Sequence, residues 1–209
     1  MGYILIVIGL AIVLWGLLIV VKPKEAENPQ KVFVQPEKGL ENQAKNDTIK
    51  QESFDENKAK GDAFERFVVK NFDPKYFTLQ EWRSDKYVDG IYPVSSHFPD
   101  LEVFFDFKSK GIRQLFAIEC KWRKGYFKNG IEWAHDYQIR NYKEYADTIK
   151  IPVFVVIGVA GEPEKPHELF IVPLQKMENC VISKTDLMKY KKNLGDSGFF
   201  WDYDKNELR

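Results

Sequence analysis

Pro99-Asp100 and, one largely apolar strand and a turn later, Glu119-Cys120-Lys121 bring two carboxylates and a lysine to the borders of apolar strand sequence. Residues 101–107 are expected to form one strand, with Val103, Phe104, Phe105 and Phe107 supplying bulk and Asp100 at its entry. Residues 115–122 are expected to form the next, because Leu115, Phe116, Ala117 and Ile118 run directly into Glu119, Cys120, Lys121 and Trp122. Successive strand residues point to opposite faces, so Glu119 and Lys121 share a face and Cys120 points the other way. Unpaired charge is costly among apolar neighbours, so such placement calls for a partner, an ion or a substrate.

The rest of the chain from residue 58 reads as α-β-β-β-α-β-β. Residues 59–71 carry Ala63, Phe64, Phe67 and Val68 at helical spacing, with Pro74 beyond the end. A short strand is expected over 77–82, and a polar and aromatic loop over 85–98. Lys108, Ser109, Lys110 and Gly111 supply the turn between the two acidic strands. Residues 133–149 read as a helix, 153–159 as a buried strand by their unbroken apolar run, and 169–172 as a further strand after a Pro-rich turn over 161–166. A capped helix from Lys184 to Lys192 and an aromatic terminus at Phe199, Phe200 and Trp201 complete the pattern.

Pro99-Asp100, a strand, then Glu119-Cys120-Lys121 resembles the signature of the PD-(D/E)XK nuclease superfamily, which includes restriction endonucleases, junction resolvases and RecB-type exonucleases. Lys60 to Phe67 resembles the first helix of that family, which often presents a glutamate, here Glu65, beside the metal site. Gln138 and Tyr142 fit the QxxxY element of its RecB-like branch, and the resemblance spans roughly residues 58 to 175. It implies an α/β, restriction-endonuclease-like mixed sheet flanked by helices.

The resemblance also implies a chemistry. Asp100, Glu119 and the backbone carbonyl of Cys120 would hold Mg²⁺, or Mn²⁺, both of which favour oxygen donors. The ion would polarise the scissile phosphate and activate water, and Lys121 would orient that water and offset developing charge. Glu65 would hold a water or a second ion, and Gln138 and Tyr142 would support the site and the nucleic-acid backbone. Arg123, Lys124, Lys128 and Arg140 interleave with Trp122, Tyr126, Phe127 and Trp133, residue types that neutralise phosphates and stack unpaired bases. Gly125 and Gly130 suggest a mobile loop there, and His97, Glu102 and Asp106 read as ordinary loop and strand residues.

Upstream, residues 3–21 form an uncharged apolar run of the length that spans a bilayer, followed at once by Lys22 and Lys24. No basic residue precedes the run and no small-residue cleavage site follows it, so a single-pass anchor is expected rather than a cleaved signal. The flanking lysines predict a cytoplasmic globular domain. Residues 22–57 are polar, contain Pro23, Pro29 and Pro36, and read as a flexible linker without enough apolar surface to offset ordering entropy. The globular domain is thus expected over 58–209.

Thirty-one basic residues balance 31 acidic ones, which excludes a global basic field but not a local basic cleft. Cys120 and Cys180 have no CxxC spacing and offer no disulfide framework. The activity that the resemblance implies, placed by the apolar run, is hydrolysis of DNA phosphodiesters by metal-activated water at a membrane. Two alternatives stand beside it: a nucleic-acid-binding module of the same fold without turnover, and a membrane-tethered domain whose C-terminal aromatics recruit a protein.

Overall fold

The computed structural model describes residues 55–83, 97–195 and 198–209. The apolar run over 3–21 and nearly all of the expected linker lie outside the described residues. No helix among the described residues is long and apolar enough to cross a membrane.

A six-stranded mixed sheet forms the centre. Its strands are β1 (Phe77–Trp82), β2 (Leu101–Phe107), β3 (Ile112–Arg123), β5 (Val153–Glu162), β6 (Lys165–Pro173) and β8 (Lys191–Lys192), adjacent in that order. Only β3 and β5 pair in parallel, and the helix α2 (Asp136–Ile149) makes the crossover that a parallel pair requires. All other neighbours in the sheet run antiparallel. The short strands β4 (Gly130–Glu132) and β7 (Val181–Ser183) pair with each other, as do β9 (Trp201–Asp202) and β10 (Glu207–Leu208).

Each face of the sheet carries its own core. Helix α1, over residues 55–70, lays Phe64 and Val68 against Phe116, Ile118, Phe154 and Val156. On the opposite face α2 lays Ile139, Tyr142 and Tyr145 against Ala117, Val155 and Ile157. Burying one such large side chain stabilises the fold by roughly 1.5–3 kcal/mol. The approach of α1 is close: a Cβ on Gly158 would lie 2.4 Å from the Phe64 ring, so only glycine lets the helix settle onto β5. This is the mixed sheet flanked by helices expected from the sequence.

Several boundaries differ. Residues 55–57, expected in the linker, belong to α1. Trp133 and Ala134 precede α2 as buried residues, and the helix begins at Asp136. Residues 125–130 close a tight turn, with Phe127 and Gly130 exchanging main-chain hydrogen bonds, and lead into β4 rather than a loose loop. The helix expected from Lys184 to Lys192 stops at Leu187 as α3 (Lys184–Leu187), because Lys191 and Lys192 turn back to pair with β6. Phe199 and Trp201 are buried, with Trp201 stacked on Phe116 at 4.9 Å. Those two rings hold the core together and are not available to a partner, which leaves Phe200 alone exposed.

Candidate active site

The register of the β2–β3 pair builds the site. Leu101 faces Ile118 across the pair, so Asp100, the residue before it, comes to the β3 edge beside Glu119 and Cys120. Strand β2 ends there, and β3 continues alone on that side through Arg123. Asp100 Oδ2 takes the place of a strand partner, accepting the Cys120 N–H at 2.7 Å. Because a strand residue directs its N–H and C=O to the same side, the Cys120 carbonyl points to this open edge as well. The Cys120 side chain turns to the α1 core, where burial, followed by the charge of Asp100, pushes its thiol well above the usual pKa.

Glu119 is 1% exposed and is the one buried charged residue among the described residues. Its Oε1 accepts the Tyr142 hydroxyl at 2.7 Å and also pairs with the Lys121 ammonium. Its Oε2 is buried and has no hydrogen-bond partner. Asp100 stands beside it with part of its surface open to a cleft. Burial first, then the charges of Glu119 and Glu65, raise the Asp100 pKa well above its usual value, against the opposing pull of Lys121. Burial alone would lower Lys121, but the Glu119 and Asp100 carboxylates outweigh it and hold the ammonium above its ordinary pKa.

A cleft of about 510 Å³, lined by Asp100, Cys120 and Lys121 with Glu119 buried behind them, joins this strand edge to α1. Glu65 lines it and accepts the Trp82 indole N–H at 2.6 Å. Lys58, Lys60, Lys121, Arg123 and Lys124 line it against the carboxylates Asp62, Glu65 and Asp100, a local basic excess in a chain of zero net charge. Lys58 pairs with Asp62 at 3.5 Å and Lys60 with Glu56 at 2.6 Å. No group of three or more His, Cys, Asp or Glu side chains poised to hold a metal occurs among the described residues. The donors nevertheless fit a hard divalent ion: a buried carboxylate oxygen without a partner, a second carboxylate that burial leaves reluctant to ionise, and a main-chain carbonyl at the same edge.

Other expected site residues fall into different places. Tyr142 is buried under β3, so it positions Glu119 and does not meet nucleic acid. Arg123 donates to the main-chain oxygens of Trp122, Glu132 and Trp133, which fix its guanidinium where it lines both cavities beside Lys121. Gln138 accepts the His135 N–H at 3.0 Å and lines a second cavity, of about 530 Å³, which reaches Lys121 from the α2 side. Lys124 is exposed and lines the first cavity, whereas Lys128 and Arg140, also exposed, line neither cavity beside Lys121. Of the four aromatics expected to face a substrate, Trp133 is fully buried and Tyr126 is tied to Glu168 at 2.6 Å. Trp122 is half-buried with its indole nitrogen enclosed, and Phe127 alone of the four is exposed.

A supporting network lies behind Asp100. Arg83 donates from its main chain to the Asp100 carbonyl at 2.7 Å and from Nη1 to the Pro99 carbonyl at 3.0 Å. Its Nη2 pairs with Glu102, which also accepts the Tyr145 hydroxyl, and the guanidinium lies over the Phe98 and Tyr145 rings at 5.7 and 5.8 Å. Sequence reasoning passed over Arg83. The signal for it was the β1–β2 pairing, in which Trp82 faces Leu101 and brings the next residue to Asp100.

No family model and no curated protein matches the chain. Among solved structures it is similar to Hjc of Archaeoglobus fulgidus, a Holliday junction resolvase from an archaeal hyperthermophile. That likeness has a TM-score of 0.44 and 17% sequence identity, and covers 62% of this chain and 93% of the other. The chemistry accordingly rests on the site's own residues.

Proposed function

We propose that this protein is a divalent-metal-dependent nuclease of the PD-(D/E)XK type that hydrolyses DNA phosphodiesters, anchored to a membrane through residues 3–21 with its globular domain in the cytoplasm. The observation that carries the catalytic reading is the buried, unpartnered Oε2 of Glu119 beside Asp100 at a strand edge open to a cleft with a local basic excess. Asp100, Glu119 and the Cys120 carbonyl would hold Mg²⁺ or Mn²⁺. A bound ion of this kind supplies Lewis acidity toward the phosphate and makes an attacking water more acidic.

The protein groups divide the remaining work. Lys121, held as an ammonium by its two carboxylate neighbours, orients the attacking water and offsets negative charge developing on the phosphate. Its raised pKa suits it to that electrostatic task better than to taking a proton as a base. Tyr142 fixes one oxygen of Glu119 and leaves the other for the ion. Glu65 lines the cleft across from this pair, in position to hold a water there.

The test offers plasmid, linear and single-stranded DNA, and RNA, to the full chain in detergent with Mg²⁺, Mn²⁺ or EDTA, alongside Lys121→Ala. Cleavage that needs the metal and is lost in a folded Lys121→Ala protein is the expected outcome. Metal-independent cleavage, or cleavage undiminished by the substitution, would overturn the reading. DNA binding by a folded, metal-loaded protein that never cleaves would favour the alternative of a binding module.

A further inference from the structure

The cavity on the α2 side of Lys121 differs in character from the carboxylate cleft. Two rings stand exposed along it, Phe127 at 66% and Tyr137 at 50%. Tyr137 stacks on the His135 ring at 5.9 Å and an interplanar angle of 24°, which steadies it as a flat surface. Phe127 sits at the tip of the turn that leads into β4, with the Lys128 ammonium 5.2 Å from its ring centre. Lys121 and Arg123 line both this cavity and the carboxylate cleft, so the two spaces meet at the proposed catalytic lysine and the guanidinium beside it.

Exposed aromatic faces beside cations match one ligand chemistry well: a base presenting its face, joined to a phosphate presenting its charge. In a duplex both faces of each base are already stacked on neighbours, so a paired strand has no face to give. An unpaired strand does. Glu132, exposed on the same cavity wall, limits how much backbone can lie on that side and leaves Lys121 and Arg123, which line the cavity, and Lys128, over the Phe127 ring, to hold it.

We infer that Phe127 and Tyr137 form a stacking platform for an unpaired base of a single-stranded nucleic-acid segment whose backbone passes Lys121. The inference rests on the proposed nuclease for the position of the scissile phosphate, and adds to it a substrate class: strands with unpaired bases next to the cut.

The test measures binding in EDTA, where turnover is stopped, by polarisation of a labelled oligothymidylate, the same backbone with abasic positions, and a duplex, at one fixed salt concentration. The full chain is expected to prefer oligothymidylate over both other probes. In the Phe127→Ala/Tyr137→Ala double variant that preference is expected to fall by about tenfold or more, since stacking contributes on the order of 1–3 kcal/mol per base. Tyr137→Phe, which keeps the ring, is expected to retain it. A wild-type protein without the preference, or a double variant that keeps it, would overturn the platform. Ring-dependent binding by a wild-type protein that never cleaves would uphold the platform and overturn the nuclease. Metal-dependent cleavage by a wild-type protein without the preference would do the reverse.

Discussion

Tyr142 reaches from α2 to β3 and donates its hydroxyl to Glu119 Oε1 at 2.7 Å, within a core that excludes water. The bond joins the crossover helix to the strand carrying the proposed metal ligand. It also leaves Glu119 with one oxygen satisfied by the protein and one left over. Tyr142→Phe keeps the ring and removes that hydroxyl. It is expected to destabilise the metal-free protein by roughly 1.5–3 kcal/mol, the contribution of a hydrogen bond to a charged group, since Lys121 still pairs with the same oxygen. Cleavage should fall as well, because the carboxylate loses its fixed rotamer. Urea unfolding in EDTA and initial cleavage rates would check both, and an unchanged unfolding midpoint would count against the role given to Tyr142.

Arg83 clamps the turn that presents Asp100. Arg83→Ala removes the bond to the Pro99 carbonyl and leaves Glu102, 15% exposed, without its cation. A loss of about 2 kcal/mol in stability is expected, with weaker divalent-metal binding as the Asp100 corner loosens. Arg83→Lys should restore little, since an ammonium cannot span two acceptors as the guanidinium fork does. Thermal unfolding and metal titration of both variants would decide the matter; wild-type metal affinity in Arg83→Ala would show that the clamp is only structural.

Asp100 makes stability depend on pH in a definite direction. Its folded pKa lies well above the ordinary 3.8, mainly through burial and then the charge of Glu119. The folded state therefore holds this proton more tightly than the unfolded chain does. The stabilisation is fully present below pH 3.8 and is lost as pH rises from there through the raised folded value. In EDTA, Asp100→Asn is expected to unfold at a higher temperature than the wild type at neutral pH, while losing cleavage. A divalent ion should recover the wild-type loss at neutral pH and do less in acid, where protons compete for the carboxylates. Unfolding temperatures across pH, with and without Mg²⁺, would show whether Asp100→Asn is indeed the more stable metal-free protein.

Gly158 tests how firmly α1 is seated. A methyl group there would lie 2.4 Å from a Phe64 ring that is fully buried and has no room to move aside. Gly158→Ala is expected to cost roughly 1–3 kcal/mol and to displace α1, and with it Glu65, from the cleft. Lower stability with reduced cleavage is the expected pair of results, read by urea unfolding and activity.

The parts of this architecture that depend on local pattern were legible in the chain. Apolar runs marked β2, β3 and β5, and alternation put Glu119 and Lys121 on one face. What escaped depended on contacts distant in sequence. Trp133 looked like a surface aromatic because nothing nearby shows that its indole will donate to the Asn179 carbonyl at 2.7 Å. The carbonyls of Glu132 and Trp133 that fix the Arg123 guanidinium were equally invisible, since they come from residues nine and ten positions on. Helical pattern from Lys184 onward lost to edge pairing of Lys191 and Lys192 with β6, a tertiary contact that outweighs local propensity. Arg83 was hidden because its importance comes entirely from the strand beside it.

Titration of Mn²⁺ into the full chain, followed by calorimetry and by the spin-resonance signal of free Mn²⁺, tests the central claim most directly. Saturable binding by the wild type is expected, lost in Asp100→Ala and strongly weakened in Glu119→Gln, with both variants folded by circular dichroism. A folded wild-type protein that takes up no Mn²⁺, or one whose affinity is the same in both variants, would contradict a metal centre at Asp100 and Glu119.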